Sequence, residues 1–98
     1  MSGTFTISKI ELKRILANFH VSDKNIEVML TQLDKMRRHV NVVTFTEMLQ
    51  NVGLRHNDTV NLLRRAGIDD ITISNIFDMI EEEKIRNTFG KLVELRIM

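Results

Sequence analysis

The chain has 98 residues, a formal net charge of +1 and no cysteine, proline, tryptophan or tyrosine. Without cysteine it cannot form a disulfide, a Cys-ligated zinc site or an iron–sulfur cluster. A net charge this small gives no bulk attraction to nucleic acid or to anionic lipid.

The length and composition favour one helical domain spanning residues 1–98. The length is close to that of a typical domain, and a proline-free chain suits helices better than sandwiches or barrels, which need proline and glycine at many turns. A small secreted domain usually needs disulfides, so we expect a cytoplasmic (intracellular) protein. No segment approaches the roughly 20 apolar residues that a membrane-spanning helix requires, and no membrane contact is expected.

Apolar residues at helical spacing predict two helices in the first third of the chain. The first covers residues 8–20. Ser22 is a good N-cap residue for the second, which covers residues 23–35. The apolar stripes of these two helices contain Leu12, Ile15, Leu16, Phe19, Ile26, Met29, Leu30 and Leu33.

The middle of the chain predicts a basic loop followed by a short third helix. Residues 35–39 are polar and basic, and residues 40–43 have a short β-type pattern. Thr44 and Glu47 have the spacing of a capping box, in which each side chain accepts a hydrogen bond from the other residue's amide. Gly53 is a suitable residue to end the helix that they begin.

The remaining residues predict two more helices, which completes an all-α, EF-hand-like domain of about five helices with short extended loop segments. Asn57 or Asp58 caps the fourth helix, which Gly67 ends. Residues 68–73 are interpreted as a loop with a short extended piece. Ser74 then caps a long final helix, whose apolar pattern continues to residue 93. Gly90 is a point at which this helix either kinks or ends. The last helix carries Ile76, Phe77, Ile80, Ile85, Phe89, Leu92 and Val93.

Residues 6–53 resemble the EF-hand superfamily, in particular calmodulin-like proteins and myosin light chains. TISKIELKRIL (6–16) looks like the end of a calcium loop and its exiting helix, and VSDKNIEVMLTQLD (21–34) looks like the next entering helix. VVTFTEMLQNVG (42–53) looks like that hand's short strand and exiting helix. Residues 57–98 fit less well, as a helix–loop–helix and a C-terminal helix.

The resemblance also implies that the loops have lost calcium binding. A calcium loop has oxygen ligands at alternating positions and a glycine at position 6. If Asp34 is the first ligand and Glu47 the last, the loop is two residues too long. Met36 and Arg38 then stand at the third and fifth positions, where neither can coordinate calcium, and His39 replaces the glycine. No metal or cofactor is therefore expected.

An EF-hand scaffold without metal implies a calcium-independent adaptor or light-chain-like subunit. Such a module binds the amphipathic helix of a larger partner in a groove between its helices. The residues expected to line that groove are Phe19, Met29, Leu33, Phe45, Met48 and Phe77. The basic loop, a possible second contact surface, comprises Lys35, Arg37, Arg38 and His39.

Two other functions stay open. A helical nucleic-acid-binding domain would use the basic residues Lys35, Arg37, Arg38, Arg64 and Arg65. A structural segment of a larger assembly would form an oligomer contact through an exposed apolar tail, from Leu92 to Met98. No nucleophile–base motif and no Gly-rich phosphate loop is present, so we expect no enzymatic activity.

Overall fold

The last strand of the chain lies between the other two in a three-stranded sheet. This arrangement comes from a computed structural model that describes residues 3–82 and 93–98. The sheet order is β1-β3-β2, with β3 parallel to β1 and antiparallel to β2. In chain order the elements are β1 (Gly3–Ile7), α1 (Lys9–Asn18), α2 (Asp23–Lys35), β2 (His39–Asn41), α3 (Val42–Asn51), α4 (His56–Arg65), α5 (Asp70–Glu82) and β3 (Val93–Ile97).

The fold is therefore predominantly helical, but it is not all-α. Residues 3–7, 39–41 and 93–97 form a sheet, where the sequence predicts loops and the end of a helix. The clearest difference is at the C-terminal end, where the predicted helix reaches Val93 and an apolar tail follows, but residues 93–97 form a strand. Leu95 and Ile97 are buried while Glu94 and Arg96 are exposed, an alternation with the period of a strand. Ile85, Phe89 and Leu92, also assigned to that helix, lie outside the described residues.

The sheet has one apolar face and one polar face. Neighbouring strands place Ile7, Val40, Leu95 and Ile97 on the inner side, where all four are buried. The outer face carries residues that alternate with them and are exposed, except for the half-buried Asn41. These are Thr6, His39, Asn41, Glu94 and Arg96.

The first two helices confirm the sequence prediction closely. The hydroxyl of Ser8 accepts a hydrogen bond from the amide of Glu11 at 3.0 Å, and Ser22 accepts one from Asn25 at 3.2 Å. Each serine thereby satisfies an amide that has no partner inside its helix. Helix α2 has the predicted bounds, and α1 ends two residues earlier than predicted, at Asn18.

The starts of the later helices were predicted wrongly. Helix α3 begins at Val42, because Asn41 caps it by accepting the amide of Thr44 at 2.8 Å. Thr44 is thus inside the helix and does not form the capping box. Helix α4 begins at His56, before both predicted caps, and its N-cap residue Arg55 makes no side-chain capping bond.

Helix α5 begins at Asp70 and not after Ser74. The carboxylate of Asp69 accepts the amide of Thr72 at 3.2 Å and its hydroxyl at 2.6 Å, so Asp69 is the capping residue. Residues 70–73 of the segment predicted as a loop are consequently the first turn of the helix. Gly53 (φ 99°) and Gly67 (φ 90°) lie just after α3 and α4, which confirms the predicted helix ends.

The core lies between the inner face of the sheet and the apolar stripes of the helices. Its largest fully buried side chains are Phe45, Leu12, Leu16, Ile26, Met29, Leu33, Leu49, Leu62, Leu63, Ile76, Leu95 and Val42. Two buried threonines, Thr46 and Thr59, donate their hydroxyl protons to main-chain carbonyls one helical turn earlier, which satisfies both groups. Across the described ranges, no helix is both long enough and apolar enough to cross a membrane.

Candidate partner-binding cleft

The structure places four of the six residues predicted to line a groove inside the core. Met29 and Leu33 are 1% exposed, Phe45 is fully buried, and Met48 is 9% exposed. A helical stripe identifies the side of a helix that faces inward, but core and groove residues share that stripe. Only Phe19 and Phe77 are half-buried and reach the surface.

The two surface phenylalanines lie at different hollows. Phe19 lines a small one of about 140 Å³ beside α1, where the guanidinium of Arg65 lies 4.0 Å from the carboxylate of Glu11. Phe77 lines a larger open cleft of about 470 Å³ formed by residues of α4 and α5. The larger cleft has room for several side chains of a partner, and the smaller does not.

The α4–α5 cleft combines an apolar floor with a charged rim. Val60 and Phe77 are half-buried and Ile73 is 4% exposed, so the floor is partly open to solvent. The imidazole ring of His56 lies 4.4 Å from the phenyl ring of Phe77, centroid to centroid, with the ring planes inclined by 50°. The lining residues are His56, Val60, Arg64, Asp70, Ile73, Ser74, Phe77, Asp78 and Glu81.

The charges of the rim do not cancel. The Nε atom of Arg64 lies 2.8 Å from Oδ1 of Asp70, and this ion pair accounts for the rim's arginine and one of its carboxylates. Asp78 and Glu81 are exposed, and neither forms an ion pair with another described residue. They are three residues apart on α5 and therefore lie on the same side of the helix. The cleft is thus acidic at this part of its rim.

An exposed isoleucine extends the apolar surface along α5. Ile71 is 75% exposed, an unusual environment for a side chain of this size. It is three residues before Ser74 and seven before Asp78, both of which line the cleft. Residues at these intervals share one strip of a helix. Ile71 therefore lies on the strip of α5 that borders the cleft, toward the start of the helix.

The predicted basic loop is found at the turn between α2 and β2. Lys35, Arg37, Arg38 and His39 are all exposed. Arg37 and Arg38 have φ angles of 58° and 60°, in the left-handed region that non-glycine residues rarely adopt. The amides of Arg37, Arg38 and His39 are bonded to the carbonyls of Asp34, Leu33 and Met36. These amides are therefore not available to bind an anion.

Asp34 is held by cations of the chain itself. Its carboxylate accepts a hydrogen bond from Nε of Arg38 at 3.0 Å and lies 3.5 Å from Nζ of Lys9. The hydrogen bond from Arg38, with a further contribution from the charge of Lys9, lowers the pKa of Asp34 below its ordinary value. Asp34 is the residue that the EF-hand alignment places first in the calcium loop, and here its oxygens face a guanidinium and an ammonium group.

The residues of the alternative predictions are dispersed. Arg64 and Arg65 pair with Asp70 and Glu11, away from the basic turn. The C-terminal segment is not an exposed apolar tail, because Leu95 and Ile97 are buried and, of its described apolar residues, only Met98 is largely exposed. The exposed apolar tail that the oligomer prediction assumed is therefore not found among the described residues, and the oligomer contact itself stays a prediction.

Comparison of the chain with protein-family models, with curated proteins and with solved structures finds no match. The EF-hand resemblance of residues 6–53 therefore stays a prediction. Within residues 3–82 and 93–98, no group of three or more His, Asp or Glu side chains is placed to hold a metal ion.

Most of the cleft was missed by the sequence reasoning. Phe77 was named as a groove residue, but Val60, Ile73 and Asp78 were not. Ile73 was missed because the helix that carries it was taken to begin only after Ser74. A usable signal was present at Asp69 and Thr72, since an aspartate followed three residues later by a threonine is a common way to begin a helix. With α5 begun there, Ile73, Ile76, Phe77 and Ile80 form one apolar stripe.

Proposed function

We propose that the protein is a calcium-independent interaction module that binds an amphipathic helix of a partner protein in the α4–α5 cleft. The observation that carries the proposal is the combination of an apolar floor, formed by Val60, Ile73 and Phe77, with two exposed rim carboxylates. These are Asp78 and Glu81, which form no ion pair with another described residue. The partner helix would place apolar residues on the floor and lysine or arginine beside the acidic rim.

The spacing of the rim carboxylates matches the periodicity of a helix. Asp78 and Glu81 are three residues apart, which corresponds to a rise of about 4.5 Å along α5. Basic residues three or four apart on a partner helix have the same spacing. Burial of apolar side chains on the floor would supply most of the affinity, and the opposite charges would fix the partner's orientation and speed its association.

The ion pairs of Asp34 support the calcium-independent part of the proposal. A calcium ion at the predicted loop would have to displace Arg38 and Lys9 from the carboxylate. It would then meet positive charge where a calcium loop supplies oxygen atoms. The EF-hand resemblance is carried by residues 6–53, whereas the cleft is formed by α4 and α5. Binding of a partner in the cleft therefore does not depend on that resemblance.

A pair of synthetic helices tests the proposal. Both are labelled amphipathic peptides of about five turns, roughly 18 residues. They have the same leucine face, and the polar face is lysine in one and glutamate in the other. Fluorescence anisotropy should show saturable binding of the lysine peptide and at least tenfold weaker binding of the glutamate peptide, a difference of about 1.4 kcal/mol.

The matched protein variants locate the site. The double variant Asp78→Lys, Glu81→Lys reverses the exposed rim charge without altering the core and should weaken the lysine peptide about tenfold or more. Asp23→Lys with Glu27→Lys, which makes the same change of charge at exposed residues of α2, is the control and should weaken binding much less. Equal binding of the two peptides, or an equal effect of the two variants, would contradict the proposal.

A further inference from the structure

A second surface of the molecule concentrates positive charge at one corner of the sheet. Arg96 of β3 is opposite His39 of β2, and the amide of Ile97 donates to the carbonyl of Arg38 at 2.8 Å. The end of β3 is therefore joined directly to the basic turn. We refer to Lys35, Arg37, Arg38, His39 and Arg96 together as the basic corner.

The charges of this corner are only partly neutralised. Arg38 is paired with Asp34, and Nδ1 of His39 lies 4.0 Å from Oε2 of Glu94. Within the described part of the chain, no ion pair is formed by Lys35, Arg37 or Arg96. All three are exposed. A patch of unpaired cations persists here although the whole chain has a formal net charge of only +1.

The backbone of the turn gives an independent indication. Arg37 and Arg38 are consecutive residues in the left-handed region, which costs roughly 1–2 kcal/mol for each residue that has a Cβ atom. Glycine at both positions, or asparagine, would form the same turn with less strain. The turn instead carries two arginines, and backbone strain of this kind is concentrated at sites where the side chain has a role.

We propose that the basic corner is a second docking surface, which binds an acidic segment of a protein chain. The guanidinium groups of Arg37 and Arg96 are exposed and offer paired N–H donors that match the two oxygens of a carboxylate. Lys35 adds a third unpaired charge beside them. The occupant is therefore a short run of aspartate or glutamate residues, distinct from the basic helix proposed for the cleft.

The surroundings of the corner favour a peptide over a nucleic acid. Asp34 and Glu94 border the corner on two sides. A nucleic acid has a phosphate at every nucleotide and would bring negative charge against both carboxylates, whereas a peptide can place neutral residues there. Among the described residues of the outer face, His39 is the only one with an aromatic ring, so successive bases have no row of rings on which to stack. The amides of the turn are already bonded, so a phosphate finds no backbone donors there.

The test compares two labelled anionic probes on the full chain. One is an oligoglutamate peptide, and the other is an oligothymidylate with the same number of negative charges. We expect a saturable anisotropy change with the oligoglutamate peptide. The oligothymidylate should bind at least threefold more weakly. Absence of peptide binding, or tighter binding of the oligothymidylate, overturns the proposal, and the second result assigns the corner to nucleic acid instead.

Variants then distinguish the corner from general electrostatic attraction. Arg37→Asn, combined with Arg96→Gln, should weaken the oligoglutamate peptide tenfold or more. Its melting temperature should not fall by more than a few degrees, since asparagine tolerates the left-handed region. Lys24→Gln removes an exposed positive charge from the other end of α2 and should change binding less than twofold. Equal losses in the two variants overturn the proposal.

The cleft variant separates this proposal from the proposed function. Asp78→Lys with Glu81→Lys adds positive charge to the cleft and leaves the basic corner intact. If the corner is the site, adding Arg37→Asn and Arg96→Gln to the cleft variant should abolish its binding of oligoglutamate, as the same two changes weaken binding by the wild type. If the peptide stays bound after those additions, the corner is not its site. Neither result depends on whether the cleft binds the lysine helix.

Discussion

The imidazole ring of His56 packs against the phenyl ring of Phe77 at 4.4 Å between centroids, and this contact joins the start of α4 to the middle of α5. Both rings line the proposed cleft. The pair therefore links the shape of the cleft to the stability of the helix pair. A change at either residue should affect both properties, and the following prediction measures how strongly the two rings are coupled.

The first prediction concerns this ring pair. His56→Ala and Phe77→Ala should each lower the free energy of unfolding, and a double-mutant cycle should give a coupling of about 0.5–1.5 kcal/mol, the usual range for packed aromatic rings. Urea unfolding followed by circular dichroism measures all four proteins. A coupling near zero would show that the rings are adjacent without a favourable interaction.

The second prediction concerns the central strand. Leu95 is fully buried between the sheet and the helices, while its neighbour Arg96 is exposed on the outer face. Leu95→Ala should lower the free energy of unfolding by about 2–5 kcal/mol, because it leaves a cavity in the core. Arg96→Ala should change it by less than about 0.5 kcal/mol. Equal effects on urea unfolding would be inconsistent with a strand that buries Leu95 and exposes Arg96.

The third prediction concerns Asp69, the capping residue of α5. The hydroxyl of Thr72, and then its amide, donate hydrogen bonds to the carboxylate and lower the pKa of Asp69 below the ordinary 3.8. A lowered folded-state pKa means that the stabilisation is complete above the unfolded-state value and is lost as the pH falls through the folded-state value. Asp69→Ala should therefore lower the melting temperature at neutral pH.

The same experiment contains its own control. Asp69→Asn keeps a capping oxygen but removes the titratable group. Its melting temperature should lie between those of the wild type and Asp69→Ala at neutral pH. The difference between wild type and Asp69→Asn should shrink as the pH falls well below 3.8, where the wild-type carboxyl group is also neutral. A difference that does not depend on pH would show that the carboxylate charge has no part in capping.

The fourth prediction compares a glycine and an arginine, Gly67 and Arg37, that both have a left-handed backbone conformation. Gly67→Ala should cost roughly 1–2 kcal/mol from backbone strain alone, since an added Cβ atom meets only Cδ1 of Phe5, at an ordinary 3.9 Å. Arg37→Gly relieves strain of the same kind and should raise the free energy of unfolding by about 0.5–1 kcal/mol. Urea unfolding should therefore show that Gly67→Ala lowers the free energy of unfolding and that Arg37→Gly raises it. Loss of stability in Arg37→Gly would show that the arginine side chain stabilises the turn.

The fifth prediction concerns calcium. Arg38 and Lys9 contact the carboxylate of Asp34, so calorimetric titration with calcium should give no binding heat. The melting temperature should be the same with calcium and with chelator, because only a ligand that binds the folded state stabilises it. Saturable binding with a rise in melting temperature would instead make the protein a calcium sensor.

The sequence alone determined the elements whose signals are local. Ser8 and Ser22 each precede an apolar helical stripe, and one side chain is enough to cap the helix that follows. Gly53 and Gly67 mark helix ends because each adopts a left-handed conformation that most other residues avoid. The exposed basic turn follows from its charge. These features require no contact with a distant part of the chain.

The tertiary structure decided the rest, because several local solutions have nearly equal free energy. Asn41 and Thr44 can both cap a helix, and packing of Val42 and Val43, which are fully buried, selects the earlier start. A strand is stable only beside its partner, and β3 finds β1 at the far end of the chain. The cleft is likewise determined by how the helices pack together. An apolar stripe shows which side of a helix avoids water, but only the packed helices determine that Phe45 is core and Phe77 is surface.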